Sequence, residues 1–253
     1  MRREEQNKNM VEFFIAFRHI VERKFQSIFS ILGVAIAVTV FIVSMTISNG
    51  LNKNMINSLL TMSPHILIKN KKTTFFENFG ETVENIKKIK GVKAVIPQMN
   101  SQSILKNEGL AKGVLADGIS PENVKNGLNL KIVEGNDNIA ELNSVLIGEQ
   151  LAYEMRLKVG QEISLVSAEN KEIKLIVRGI FKTGFLDYDS NLIVVPLETM
   201  QILAEQDKAA TEIGIKVESP QKVETILNQV RNIVNQEEYS TISWKTINQN
   251  LLK

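Results

Sequence analysis

The chain has 253 residues, a formal net charge of +2 from 30 basic and 28 acidic side chains, and no cysteine. Its charges are interspersed, without the basic face or stripe that nucleic-acid binding requires. The missing thiols exclude disulfides, cysteine nucleophiles and cysteine-ligated zinc, and the two histidines, His19 and His65, stand too far apart in sequence to point to a histidine-based metal or catalytic cluster.

The first element is "MVEFFIAFRHIVERK", where Phe13, Phe14, Phe17, Ile20 and Val21 recur at helical spacing with Glu12, Arg18 and Arg23 between them. This pattern predicts an amphipathic leader helix over residues 1–24, lying on a membrane face or on a cytoplasmic partner. His19 falls within it and carries no ligand signal.

The next stretch, Phe25 to Asn52, is 28 residues without a charge. Its most apolar part, Ile28 to Ile47, is about 20 residues and as a helix covers roughly 30 Å, the thickness of bilayer hydrocarbon. The 12 Ile, Leu, Val and Phe side chains in it contribute about −4 to −7 kcal/mol toward insertion. A secretory signal is shorter, has a short basic leader and ends in a small-residue cleavage site; none of these holds here. Residues 25–52 therefore read as a membrane span. Arg18, Arg23 and Lys24 precede it and Lys53 alone follows closely, so the positive-inside bias places the N-terminus in the cytoplasm and the bulk of the chain outside it.

On a 100° wheel, Ser30, Gly33, Ala37, Ser44 and Ser48 fall within about 60° of one another. Such a stripe lets helix backbones approach closely in lipid, where packing is a main source of association. The bulkier Ile36, Val40, Val43 and Ile47 lie beside it. Beyond the span, Leu51, Met55 and Leu59 continue the helical pattern as a stalk until Ser63-Pro64 stops it, with Gly50 as its weak point.

Strands and helices then alternate. "HILIK" (65–69) predicts a strand and "ETVENIKKIKG" (81–91) a helix with Val83, Ile86 and Ile89 on one side. "VKAVIPQM" (92–99) and "AKGVLADGI" (111–119) are strands, and "VLIGEQLAYEMRL" passes from strand to short helix. "KVGQEISLVSAENKEIKLIVRGIF" reads as a hairpin turning at Ala168-Glu169-Asn170-Lys171. "NLIVVPLETMQILAEQ" is a strand followed by a helix that begins near Pro196. "EIGIKV" (212–217) is a strand, "PQKVETILNQVRNIV" (220–234) a helix with an apolar face of Val223, Ile226, Leu227, Val230 and Val234, and "YSTISW" (239–244) a closing strand. Two βαβ-like ends flanking a strand-rich insertion, over about residues 130–205, make the class α+β. Asp187 and Asp189 form a paired-acid motif, but no Asp-x-Asp-x-Asp-Gly loop accompanies them and a turn-forming role is expected. His65 reads as a structural hydrogen-bonding group, and Trp244 and Tyr239 as core or interface anchors. No Walker A loop is present, so ATP hydrolysis would fall to a partner.

Three segments taken in order, "ILGVAIAVTVFIVSMTISNGLNKNMINSLLTMSPHILI", "VLIGEQLAYEMRLKVGQEISLVS" and "VRGIFKTGFLDYDSNLIVVPLETMQILAE", resemble LolC/LolE-type permease subunits of lipoprotein-releasing ABC transporters, within the wider MacB/FtsX-like superfamily. The resemblance covers about Phe13 to Lys253. It implies a non-catalytic inner-membrane permease subunit with no cofactor. Residues 53–253 would be a periplasmic, ferredoxin-like porter-type domain with an inserted β-rich lobe. The implied partners are a cytoplasmic ABC ATPase, a second permease subunit, lipoprotein cargo and a periplasmic lipoprotein chaperone, with no nucleic acid. It implies that Ser30, Gly33, Ala37, Ser44 and Ser48 pack against another span and that Ile36, Val40, Val43 and Ile47 line an acyl-chain cleft; contact with bulk lipid is the plainer reading of those four. The chain stops at "SWKTINQNLLK", where the family enters its second span, so three further spans are expected on a longer form of this polypeptide or on another one. The hairpin between Ile163 and Ile180 is shorter than the chaperone hook of the C-type subunit, which sets the chain nearer the E-type. Two other readings stand beside this one: a MacB- or FtsX-like subunit for efflux or mechanotransmission, and a single-span anchored periplasmic binding module.

Overall fold

The computed structural model describes residues 14–15, 18, 24–128 and 130–249, without the side chains of 52–55, 57–59, 61–62 and 126. The leader-helix expectation, with Phe13, Phe17, His19, Ile20 and Val21, lies outside the described residues. The chain divides into two compact units, Met1–Asn54 and Met55–Lys253.

The first unit is built on helix α1, Lys24–Met62, which runs unbroken through Gly50 and ends in the second unit. Its Lys24–Leu51 part has a mean hydropathy of 2.6 and is long and apolar enough to cross a membrane. Hydroxyls within it are satisfied locally: Ser30, Thr39 and Thr46 donate to the carbonyls four residues earlier, at 3.0, 2.7 and 2.8 Å. That habit is what lets Ser and Thr sit in apolar helices.

The second unit begins with the end of α1. Its elements are β1 (Ile66–Asn70), α2 (Gly80–Lys87), β2 (Val92–Asn107), β3 (Leu110–Ile119), α3 (Pro121–Gly127), β4 (Lys131–Gly135), β5 (Ser144–Gly148), α4 (Glu149–Glu154), β6 (Glu162–Val166), β7 (Glu172–Lys182), α5 (Leu186–Asn191), β8 (Leu192–Pro196), α6 (Leu197–Ala204), β9 (Glu212–Val217), α7 (Val223–Ile233), β10 (Tyr239–Ser243) and α8 (Trp244–Ile247). The strands form one ten-stranded sheet in the order β10-β1-β9-β2-β3-β8-β5-β7-β4, with β6 bridging β2 and β7.

Two sub-structures share this sheet. β1, α2, β2, β9, α7 and β10 follow the β-α-β-β-α-β pattern of ferredoxin-like folds, with antiparallel spatial order β10-β1-β9-β2. The apolar faces expected of α2 and α7 cover one side of it: Val83, Ile86, Val223, Ile226, Leu227 and Val230 pack with Ile66, Ile68, Ile213 and Ile215. The remaining strands close on themselves. β2 pairs β3, then β8, β5, β7 and β6 follow, and β6 returns to β2 through Ile104↔Val166, Leu105↔Leu165 and Lys106↔Ser164. The result is a six-stranded barrel filled by one inward side-chain set, among them Leu105, Ala116, Ile147, Leu165, Leu175 and Ile193. Closure removes the exposed strand edges an open lobe would present.

The α+β class, the ferredoxin-like unit and the strand-rich lobe are as read from the sequence, but the lobe starts earlier than residue 130. β2 does not stop at Met99; it continues to Asn107 and pairs with β3 over ten residues, from Gln98↔Ile119 to Asn107↔Leu110. Burial alternates along "SQSILKN", with Ser103, Leu105 and Asn107 inward and Gln102, Ile104 and Lys106 exposed, as on a barrel wall. α3 and β4 are further elements that the sequence reading left as connection. α2 is shorter than expected, since Lys88–Lys90 lie beyond its end.

Candidate functional site

All nine membrane-span residues singled out from the sequence lie on α1. Ile36, Val40, Val43 and Ile47 are exposed large hydrophobics, and no atom lies within 4 Å of a Cβ built on Gly33. Ser30, Ala37, Ser44 and Ser48 are likewise exposed. Among its described side chains the helix thus presents 15 exposed large apolar groups to whatever surrounds it.

The end of α1 is fixed by a compact joint inside the second unit. Ile56 and Leu60 turn onto the α2–α7 core. The helical stalk expected after the span is present, as α1 continues to Met62; Leu51 is exposed, and the side chains of Met55 and Leu59 lie outside the described residues. Pro64 then seats against β9 where only a glycine fits, since a Cβ on Gly214 would come within 2.6 Å of Pro64 Cγ. Lys216, on the same face of β9, is only 5% exposed; its Nζ donates to the carbonyls of Leu60 at 2.9 Å and Ser63 at 2.7 Å. A cation on the last carbonyls of a helix satisfies groups that have no intrahelical partner and opposes the negative end of the helix dipole. Burial, and then the nearby Lys93 ammonium, push the Lys216 amine down to about 8.

His65 completes the joint. Its Nδ1 accepts from the Val217 amide at 2.9 Å, which leaves Nε2 as the protonated nitrogen facing the Leu60 carbonyl at 3.0 Å. Burial, followed by the Lys216 charge, lowers its pKa to about 4. The hydrogen-bonding role expected of His65 is the one it has. Ser63 reaches the barrel side as well, sharing a 2.8 Å hydrogen bond with the Tyr188 hydroxyl of α5.

Asp187 and Asp189 do not converge. Asp187 is exposed, whereas Asp189 is buried and accepts from the Thr183 amide at 2.6 Å, the Thr183 hydroxyl at 2.8 Å and the Gly184 amide at 3.2 Å. The motif is a turn-former that shapes the start of α5, as expected. Trp244 is a core anchor whose Nε1 donates to the Pro220 carbonyl at 3.0 Å, and Tyr239 stacks on Phe76 with ring centroids 4.3 Å apart.

A polar row that sequence reasoning missed crosses the other face of the sheet. Lys69 on β1, Glu212 on β9, Gln98 and Asn100 on β2, and Asp117 on β3 stand in register. Glu212 pairs with Lys69 at 2.8 Å and accepts from the Gln98 and Asn100 amides. Asn100 Oδ1 and Asp117 Oδ1 are buried without a hydrogen-bond partner. Each residue sits in a strand of otherwise ordinary alternation, so no linear motif announces the row.

Comparison with known proteins now bears on this arrangement. Residues 27–233 match the family model described as the MacB-like periplasmic core domain. The chain belongs to that family. The match begins inside the apolar part of α1 and ends with α7, so it takes in most of the helix, the joint, the barrel and all of the ferredoxin-like unit but β10. The lipoprotein-releasing system transmembrane protein LolC of Neisseria meningitidis serogroup B is 26% identical over 232 residues, 83% of this chain and 55% of that protein. LolC of Buchnera aphidicola subsp. Schizaphis graminum is 30% identical over 173 residues, 67% of this chain and 40% of that protein. LolE of Haemophilus influenzae is 24% identical over 212 residues, 76% of this chain and 50% of that protein. The chain spans about half the length of these curated relatives. Among solved structures, the periplasmic region of MacB from Actinobacillus actinomycetemcomitans has the same fold, with a TM-score of 0.54 at 13% identity over 77% of this chain and 96% of that one. The extracellular domain of the ABC-type transporter YknZ, from Gram-positive bacteria, gives 0.54 at 14% identity over 70% and 99%. The MacB-like fold of the second unit is thus established, and Lys216, His65 and Glu212 are positions within it.

Proposed function

We propose that this chain is the N-terminal part of a LolC/LolE-type permease subunit, which releases lipoproteins from the inner membrane with energy from a separate ABC ATPase. The observation that carries this reading is the continuous similarity to LolC over 232 residues, running from the apolar helix through the MacB-like domain. In this reading α1 spans the inner membrane with its N-terminus in the cytoplasm, and Met55–Lys253 stands in the periplasm. The chain itself performs no catalysis. Ser30, Gly33, Ala37, Ser44 and Ser48 pack against another span, contributed by the rest of the permease or by a second subunit, and Ile36, Val40, Val43 and Ile47 line the cleft that accepts acyl chains. Each buried CH₂ of such a chain contributes about 0.8 kcal/mol, so an apolar wall suffices to hold a lipid anchor without any specific polar contact. A periplasmic lipoprotein chaperone is the acceptor of the released cargo.

Photo-crosslinkers placed at Val40 and Val43 in the full-length permease test this. Lipoprotein should be trapped during turnover; capture of phospholipid alone, while lipoproteins are being released, overturns the acyl-cleft assignment.

A second reading, a MacB-like subunit for efflux or mechanotransmission, draws on the fold shared with the periplasmic region of MacB. It uses the same joint but needs no acyl contact at Val40.

A further inference from the structure

β2 belongs to both sub-structures. Up to Gln98 it pairs with β9 of the ferredoxin-like unit, and from Gln98 onward it pairs with β3 of the barrel. The seam between them falls at Gln98–Asn100, where the polar row crosses.

The hydrogen bonds of that row do not balance if every acid is ionised. Glu212 takes Lys69, Gln98 Nε2 and Asn100 Nδ2. With its amide nitrogen so used, Asn100 turns Oδ1 away from Glu212, into buried space where it has no partner. Asp117 stands directly opposite Asn100, and its Oδ1 is buried without a partner too. On the far side of Asp117 the register neighbour is Val194 of β8, which has no side-chain donor. Turning the Asn100 amide over would set its oxygen against the Glu212 carboxylate and forfeit that bond. Two orphan acceptors on paired residues call for one hydrogen between them, because a buried acceptor left bare forfeits the hydrogen bonds it had with water. A protonated carboxyl supplies one O–H donor.

We infer that Asp117 carries a proton and donates it to Asn100 Oδ1, so that the Asn100–Asp117 pair is a one-proton binding site that ties β3 to β2 in the barrel's first hairpin, beside the seam. Burial, and then the Glu212 charge, act in the same direction and push Asp117 up to about 8. The other ionisable groups toward this face are Lys69, already spent on Glu212, Lys93, His65 and Lys216 further along the sheet, and Tyr188 from α5. The site goes beyond the permease reading and does not depend on it. Above its titration point an ionised Asp117 faces the Glu212 charge in a buried place, and the hairpin loosens.

The test compares thermal unfolding of the whole chain in detergent micelles, wild type and Asp117→Asn, from about pH 4 to about pH 9. Asparagine keeps the shape and offers Asn100 an amide hydrogen that does not titrate. Unfolded Asp117 ionises near 3.8 and the folded form near 8, so wild type should lose stability relative to the variant between those values, by up to tenfold in the folding constant per pH unit, and level off above. Infrared spectra of wild type near neutral pH should show a protonated-carboxyl C=O band. Asn100→Ala should move that band to the frequency of an acid without a hydrogen bond, a readout that stands even if Asp117→Asn does not fold. A difference that is flat with pH, together with no such band, overturns the proposal. So does stabilisation of wild type alone by added sodium or calcium, which would make the orphan oxygens a cation site.

Discussion

Lys216 Nζ donates to the Leu60 carbonyl at 2.9 Å, which binds the C-terminal end of β9 to the last turn of α1. A strand in the ferredoxin-like sheet thereby caps the helix that enters it. The same ammonium reaches the Ser63 carbonyl, and His65, one residue past Pro64, holds both the Leu60 carbonyl and the Val217 amide. The joint is a set of polar contacts in a buried place, where leaving a group unpaired costs more than an ordinary hydrogen bond gains.

Replacing Lys216 with methionine should therefore destabilise the chain by about 1–3 kcal/mol in urea denaturation, because the Ser63 carbonyl loses its ammonium donor and the Leu60 carbonyl is left with His65, while the aliphatic stem is kept. An unchanged midpoint would mean that the carbonyls find water and that the cap contributes nothing.

His65 and Asp117 predict opposite pH dependences. His65 titrates at about 4 when folded and near 6.5 when unfolded, so the unfolded chain binds the proton first and stability is lost as pH falls from 6.5 toward 4. For Asp117, raised from 3.8 to about 8, stability is lost as pH rises through that window. The two partly cancel between about pH 4 and 6.5 in wild type. His65→Gln should leave a stability that declines steadily with pH, and Asp117→Asn one that declines only on acidification. Melting temperatures across the range check both, and parallel curves for the two variants would refute the assignments.

The pairing of β4 on the outer edge of β7 can be attacked at Gly179. A Cβ there would lie 2.2 Å from the Asn136 carbonyl oxygen, a backbone atom with little freedom to retreat. Gly179→Ala should cost about 1–3 kcal/mol by overpacking, seen as a lower denaturant midpoint. Gly113→Ala, with no atom within 4 Å, should be nearly neutral and serves as the control.

The small-residue stripe on α1 is tested by bulk. Gly33→Leu in the full-length permease should weaken helix packing by about 1–2 kcal/mol, roughly tenfold in association, and reduce transport accordingly; Val38→Leu should not. Equal effects from both would remove the stripe's special role.

Much of this was legible in the chain. The apolar run, the α2 and α7 faces and the hairpin of β6 and β7 are local patterns with local periods, and each appears where it was read. Barrel closure was not legible, because it depends on Leu105 meeting Leu165 across some sixty residues and nothing in either strand marks its partner. The second half of β2 was hidden for a related reason: Ser101, Gln102 and Ser103 look like a loop until a barrel wall gives their alternation a purpose. The row from Lys69 to Asp117 exists only through strand register, so its orphan oxygens could not be anticipated from spacing.

The central claim, that this chain belongs to a lipoprotein-releasing permease, is tested most directly by depleting the full-length protein from its own cells and locating lipoproteins by membrane fractionation. The account predicts that outer-membrane lipoproteins accumulate in the inner membrane and return to the outer membrane when the protein is restored. Normal lipoprotein sorting under full depletion, with a defect in efflux or cell-wall remodelling instead, would contradict it.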